Sequence, residues 1–261
     1  MYKFIAKHYH IFILTIIVII AFLLRYLSWR MDPTVARDAV LYVEMAESWF
    51  KHGDYNSMIM DFPNWEVIPF LMLWLIKLMM ATGVSGETAG IIFNITLGSL
   101  LPLIIYAIAG LFFKKKELPL GAALIAAFHP ELIELSTEVL RDTPYLFLIG
   151  MALWSLLSAI KYQKWWQWFL GGTMLTLAAF TRYESLELLL LVLGYLLVAP
   201  LLRWVTWRKI GISWLCFLSS SILTLFLIHI AAGVFPENSI LHYRNYINRI
   251  YHKTQNNTLE Q

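Results

Sequence analysis

Charge is what this chain has least of. Of its 261 residues, 14% are Asp, Glu, Lys or Arg, where a soluble globular domain carries about 25%. Cysteine is almost absent. The single Cys216 excludes an internal disulfide, and its place inside an apolar stretch makes it a small buried hydrophobe. Basic residues nowhere form a long run interleaved with aromatics, which argues against nucleic acid as a partner. There is no repeat of fixed period, no low-complexity tract and no domain linker. What remains is apolar: 59% of the residues are hydrophobic, spread over nearly the whole length. That exceeds what one soluble core can bury, so a bilayer has to cover the surplus.

Eight apolar stretches stand out as candidate helical spans: 9–29, 66–82, 88–113, 118–136, 143–160, 165–181, 185–202 and 210–234. Lys3 and Lys7 precede the first, as in a signal peptide. Arg25, Tyr26 and Trp29 follow it without a small-residue cleavage site, so an uncleaved membrane helix is expected. The basic clusters decide the count. They are Lys3 and Lys7, Lys114 to Lys116, Lys161 and Lys164, and Arg203 with Arg208 and Lys209. If 66–82 does not cross, seven spans put all four clusters on one side, which the positive-inside trend makes cytoplasmic. If it crosses, the first cluster is stranded opposite the rest. The stretch 66–82 also carries Glu66, Pro69 and Lys77 and is only about 25 Å long as a helix. It is expected to be a re-entrant or interfacial helix in a long outer loop, about 30–87. A second, amphipathic helix near 34–51 has an acceptable start at Asp32, Pro33 and Thr34 and a stop at Gly53-Asp54. The expected architecture is an all-α polytopic membrane protein. A transmembrane module of about seven helices occupies 1–235, and a polar outer tail 236–261. The tail carries His242, Arg244, Arg249, His252 and the sequon Asn256-Asn257-Thr258.

This topology gathers ionisable residues of both signs on the outer face. Loop 30–87 brings Arg37, Asp38, Glu44, Glu47, Asp54, Asp61 and Glu66. Loop 129–142 brings His129, Glu131, Glu134, Glu138, Arg141 and Asp142, and loop 181–185 brings Arg182 and Glu184. A charge at membrane depth costs roughly 2.5–3.5 kcal/mol on insertion scales, so such placement marks a pathway or a site. Asp38, Tyr42 and Ala46 are four apart and share a helix face. A carboxylate in a first helical turn is held ionised by the helix dipole and can serve as a general base. The same spacing also fits an Asp38 that only caps the helix or pairs with Arg37. Arg141 and Arg182 flank spans on the outer side, against the positive-inside trend. They can hold a phosphate bidentately, or be no more than snorkelling flanks or a structural ion pair. His129 with Glu131 offers donors for a divalent cation, but no pair has a recognised ligand spacing, so no cofactor is implied. His229 reads as a packed polar residue, and Trp165-Trp166-Gln167-Trp168 as an interfacial anchor.

Four places, taken in order, carry a family resemblance: Arg37 to Ala46, with its Asp38, Tyr42 and Ala46; Phe62-Pro63-Asn64-Trp65-Glu66-Val67-Ile68-Pro69; His129-Pro130-Glu131-Leu132 continuing through Ser136 to Asp142; and Thr181-Arg182-Tyr183-Glu184 after the helix containing Gly171-Gly172. The chain resembles the GT-C class of membrane glycosyltransferases, in the protein O-mannosyltransferase-like and aminoarabinose-transferase-like branch (family 39-like). The resemblance implies a polyprenyl-phosphate sugar as donor and a lipid, glycan or protein as acceptor. It also implies transfer with inversion at the non-cytoplasmic face of a bacterial plasma membrane. Asp38 matches the family's catalytic base and Asp142 a second acidic position. Arg141, Arg182 and, more weakly, Lys77 would meet the donor phosphate, with Arg37, Tyr42, Glu138, Glu184 and His129 in support. The stretch Glu87 to Asn94 lacks an arginine that the family often has there. Family members are commonly roughly double this length, so a short member, a truncated product or a subunit needing a partner is expected. Two other classes compete: a non-catalytic accessory or lipid-handling protein on the same scaffold, and a transporter. The transporter ranks last, because its polar residues would gather at mid-bilayer.

Overall fold

The computed structural model describes residues 2–33, 36–53 and 70–232. The motif 62–69 falls outside the described residues except for its flanking helix, as do Thr34, Asp54, Asp61, Glu66 and the tail with its sequon. The side chains of Arg37 and His229 are likewise outside the described set.

Every described element is a helix. They run α1 (Tyr2–Met31), α2 (Arg37–His52), α3 (Phe70–Met80), α4 (Gly86–Phe112), α5 (Glu117–Phe128), α6 (Pro130–Thr137), α7 (Asp142–Tyr162), α8 (Trp165–Ala179), α9 (Ser185–Leu201) and α10 (Trp207–Ala232). Four are long and apolar enough to cross a bilayer: Tyr9–Met31, Gly86–Phe112, Asp142–Tyr162 and Trp207–Ile228. The α5–α6 pair makes a fifth if its two halves count as one span. The other candidates, α8 and α9, have 15 and 17 residues. At about 22 and 25 Å they fall short of a hydrocarbon core of about 30 Å. Among the described residues, length and composition therefore give four or five spans, and the seven expected are not confirmed by them. Large apolar side chains such as Phe22, Leu190, Leu215 and Phe226 stand exposed. Such surface would drive aggregation in water and is stable only against lipid, as in an integral membrane protein.

The amphipathic helix begins three residues later than expected. Ala36 is its N-cap, without a side-chain hydrogen bond. Its end is as read: Gly53 has φ 75°, a left-handed conformation that glycine adopts without steric cost, and its N–H donates to Trp49 O at 3.1 Å. Ala39, Tyr42, Met45, Ala46 and Trp49 recur at helical spacing and are buried. They pack on Met72, Leu73, Ile76 and Met80 of α3 and on Ala89, Ile91 and Ile95 of α4. The α2–α3 pair is thus fastened to α4, beside the long helices. The described part of α3 has 11 residues, fewer than the roughly 20 of a crossing.

The stretch 118–136 is not one continuous helix. Pro130 has no N–H to donate, and the residue before a proline is driven out of the α region. His129 accordingly sits at φ −66°, ψ 119°, and α5 and α6 meet at 52°. The Trp cluster divides as well. Trp165 and Trp166 are exposed as anchors, whereas Trp168 is buried and stacks on Tyr195 at 6.1 Å.

Ties at the helix ends sort the bundle into two ends. Tyr9 donates to Glu117 Oε1 at 2.8 Å, which joins α1 to the start of α5. Lys161 donates to Leu111 O, which joins the end of α7 to the end of α4. The lysines at 114–116, 161 and 164 therefore share one end of the bundle. The segment 138–142 and the turn 180–184 lie at the opposite ends of α7 and α8.

Candidate active site

The site begins with one face of α4. Gly90, Asn94 and Gly98 are four apart and form a stripe along the helix. A Cβ at Gly90 would overlap the methyls of Val139, so only glycine lets the chain at 139 approach so closely. Asn94 is buried. Its Nδ2 donates to Glu138 O at 2.5 Å and to Leu140 O at 2.9 Å. Glu138, at φ −110° and ψ 155°, is extended backbone whose polar groups need such a partner when removed from water. Thr143 Oγ1 adds a bond to Leu135 O at 2.8 Å. Held this way, 138–140 delivers Arg141 and Asp142 to the start of α7. There the helix dipole favours the Asp142 carboxylate.

The second contribution is the turn after α8. Thr181 and Arg182 both donate their N–H groups to Ala178 O at 2.9 Å, which tightens the helix end and turns the Arg182 side chain towards α7. Its Nη1 pairs with Asp142 Oδ1. Its Nε and Nη2 donate to Glu184 Oε1 at 3.1 and 2.6 Å, and its guanidinium lies 5.6 Å from the centre of the Tyr145 ring. The Glu184 hydrogen bond, with Asp142 alongside, raises the Arg182 pKa above its ordinary value. Burial pushes the Glu184 carboxyl up, but the hydrogen bonds from Arg182 and from its own backbone outweigh burial and leave it below the usual range. Glu184 Oε2 is buried with no hydrogen-bond partner.

The third contribution is α2. Tyr42 is 2% exposed, and its phenol is pushed up to about 12, first by burial. Four charges act on that phenol: Arg141 and Arg182 lower its pKa, and Asp38 and Asp142 raise it. Tyr42 is therefore where the fields of α2, α7 and the α8–α9 turn meet. Asp38, one turn earlier on α2, is exposed.

Of the residues singled out from the sequence, Arg182 joins Asp142 and Glu184 directly, and Tyr42 lies within the electrostatic reach of Asp38, Arg141, Asp142 and Arg182. Glu138 contributes its carbonyl to the Asn94 clamp. Arg37 opens α2. Two residues stand apart. The Lys77 ammonium lies over the Trp49 ring at 4.3 Å, about 16 Å along α2 from Asp38. His129 is exposed at the α5–α6 break, about 14 Å from Glu138 along α6. No group of three His, Cys, Asp or Glu side chains among the described residues is arranged to hold a metal. Asn94 and Tyr145 escaped the sequence reading. The signal for Asn94 was there in Gly90-xxx-Asn94-xxx-Gly98, one polar residue between two glycines on a span face.

A family model described as dolichyl-phosphate-mannose-protein mannosyltransferase matches residues 67–232. The match contains Lys77, His129, Glu138, Arg141, Asp142, Arg182 and Glu184. It begins after α2, so Asp38 and Tyr42 lie before it. No curated protein matches the chain. A family match over well more than half the length, on an all-helical bundle with this cluster at one end, means that the chain belongs to the dolichyl-phosphate-mannose-protein mannosyltransferase family of membrane glycosyltransferases.

Proposed function

We propose that the chain moves a sugar from a polyprenyl-phosphate donor to an acceptor hydroxyl or amine at the non-cytoplasmic membrane face, with inversion. The observation that carries this reading is the meeting of Asp38, Tyr42, Arg141, Asp142 and Arg182 from three separate elements. Asp38, exposed beside that cluster, takes the acceptor proton as the acceptor atom bonds to the anomeric carbon. The bond from that carbon to the lipid phosphate oxygen breaks, and the polyprenyl phosphate leaves with the electron pair. Negative charge grows on the phosphate as the bond opens, so cations fixed nearby stabilise the transition state more than the ground state. Arg141 and Arg182 are those cations. Arg182 is shared between two carboxylates, so it meets the phosphate by exchanging one of them. Asp142 then orients the acceptor or the sugar.

The reading includes seven crossings, with the α5–α6 pair, α8 and α9 all passing through the bilayer and α3 staying outside. The lysines gathered at the end away from the site support it, because they make that end cytoplasmic. The membrane is then a bacterial plasma membrane with the cluster facing outward. The double occupancy of Arg182 favours one other reading, a non-catalytic accessory protein that kept the scaffold.

The test is transfer from polyprenyl-phosphate sugars by the purified protein in lipid nanodiscs, read as release of polyprenyl phosphate. Wild type turns over, and folded Asp38→Asn loses about 10²–10⁴-fold, the usual contribution of a general base. A fully active Asp38→Asn protein would remove Asp38 from the mechanism. An inert wild type would favour the accessory reading.

A further inference from the structure

Arg25 is the largest fully buried side chain of the described residues, at 0% exposure, and it plays no part in the chemistry above. It lies less than two turns from the end of α1 and pairs with no carboxylate among the described residues. Its hydrogen bonds to them go to neutral oxygens. Nη1 donates to Ala21 O at 3.1 Å and Ala127 O at 3.5 Å, Nη2 to Leu132 O at 3.4 Å, and Nε to Ser136 Oγ at 3.2 Å. Ser136 in turn donates to Leu132 O at 2.5 Å.

Apart from Ala21 O, on α1 itself, these acceptors straddle the break between α5 and α6. The last carbonyls of α5 lose their helical donors there: Pro130 has no N–H for Ala126 O, and the bend at His129 takes Ala127 O out of the helical ladder. An unpaired carbonyl away from water is costly, and in a bilayer no solvent can satisfy it. Arg25 fills that place with one rigid fork reaching both halves of the break, which a point-like ammonium does less well. The fit is close. A Cβ at Gly98 would overlap Ser136 Oγ and lie 2.9 Å from Arg25 Nε. From Ser136 the chain runs directly into the segment clamped by Asn94 and on to Arg141 and Asp142.

We propose that Arg25 is a positioning residue: its guanidinium fixes the bend of the broken α5–α6 span and so sets where Arg141 and Asp142 stand. The consequence for turnover rests on the proposed transfer reaction. The consequence for structure does not, and the experiment separates the two.

The structural arm uses labelling by a thiol reagent in nanodiscs. Val139, 2% exposed, is replaced by Cys in a Cys216→Ser background, and a separate protein that keeps Val139 and native Cys216, in the α8–α10 region, supplies an independent reporter. Arg25→Met speeds labelling at 139 about tenfold or more and leaves Cys216 unchanged, with Arg25→Lys in between. Unchanged labelling at 139 overturns the proposal. So does equal acceleration at both sites, which would make Arg25 a general fold-stabilising residue. In the transfer assay, folded Arg25→Met shows a raised donor KM and a kcat/KM down about 10- to 100-fold, partly restored in Arg25→Lys. Loss of active fraction with an unchanged KM would also overturn the positioning role. If wild type transfers nothing, the transfer reading fails, and the labelling result still decides the role of Arg25 in the bend.

Discussion

At the scale of single residues, the site is defined by how its charges are shared. Arg182 serves Asp142 and Glu184 together, and this sharing holds the Glu184 carboxyl below its ordinary range despite its burial. A carboxylate with a depressed folded pKa contributes stability above its unfolded value, and the contribution is lost as pH falls through the folded value. The unfolded value is about 4.3. Thermal unfolding in detergent should therefore show wild type losing more stability than Arg182→Met as pH is lowered through and below about 4.3. The two midpoints should converge at the acid end. Parallel curves across that range would mean that the pair contributes nothing. The sequence offered Arg182, Asp142 and Glu184 as outer-face charges. It did not show that they are mutual partners, because Asp142 and Arg182 are forty positions apart and their meeting depends on how α7 packs on α8. Arg25 was less legible still. In the sequence it only follows an apolar run, and the tertiary fold shows that it points inward.

At the scale of elements, apolar runs with lysine flanks made the helices legible, mostly to within a few residues. The exceptions have local causes. Pro130 splits 118–136, and Ser85 starts α4 before its apolar run by accepting the Thr88 N–H at 3.3 Å. The Gly90-Asn94-Gly98 stripe was not legible as a clamp, since the partners of Asn94 are main-chain groups more than forty residues away. That stripe makes a steric prediction. Gly90→Ala places a methyl into Val139, an overpacking that typically costs about 1–3 kcal/mol and reads as a lowered midpoint in thermal unfolding. Val139→Ala removes the methyls it would strike. The double variant Gly90→Ala/Val139→Ala should recover most of the loss, a coupling that a double-mutant cycle measures directly. Additive losses would mean that the clash is relieved elsewhere.

At the scale of the whole molecule, membrane topology links fold to function. The described helices make the chain an integral membrane protein, and its family makes it a glycosyltransferase. The sidedness of the bundle ends follows from the proposed seven crossings. In a Cys216→Ser background, Glu131→Cys should react with a membrane-impermeant thiol reagent in intact cells, and Lys115→Cys only after permeabilisation. The reverse pattern, or equal reactivity, would move the Asp38 cluster off the outer face. The site itself rests on contacts of an unusual kind. Asn94 grips the carbonyl oxygens of residues 138 and 140, and Gly90 offers clearance. A grip on the main chain does not read the side chains of the residues it holds. On the proposed reading, in which Arg141 and Asp142 serve the transfer, the residue at 138 can be exchanged while those two keep their place, so substrate range can drift without the geometry around them being rebuilt.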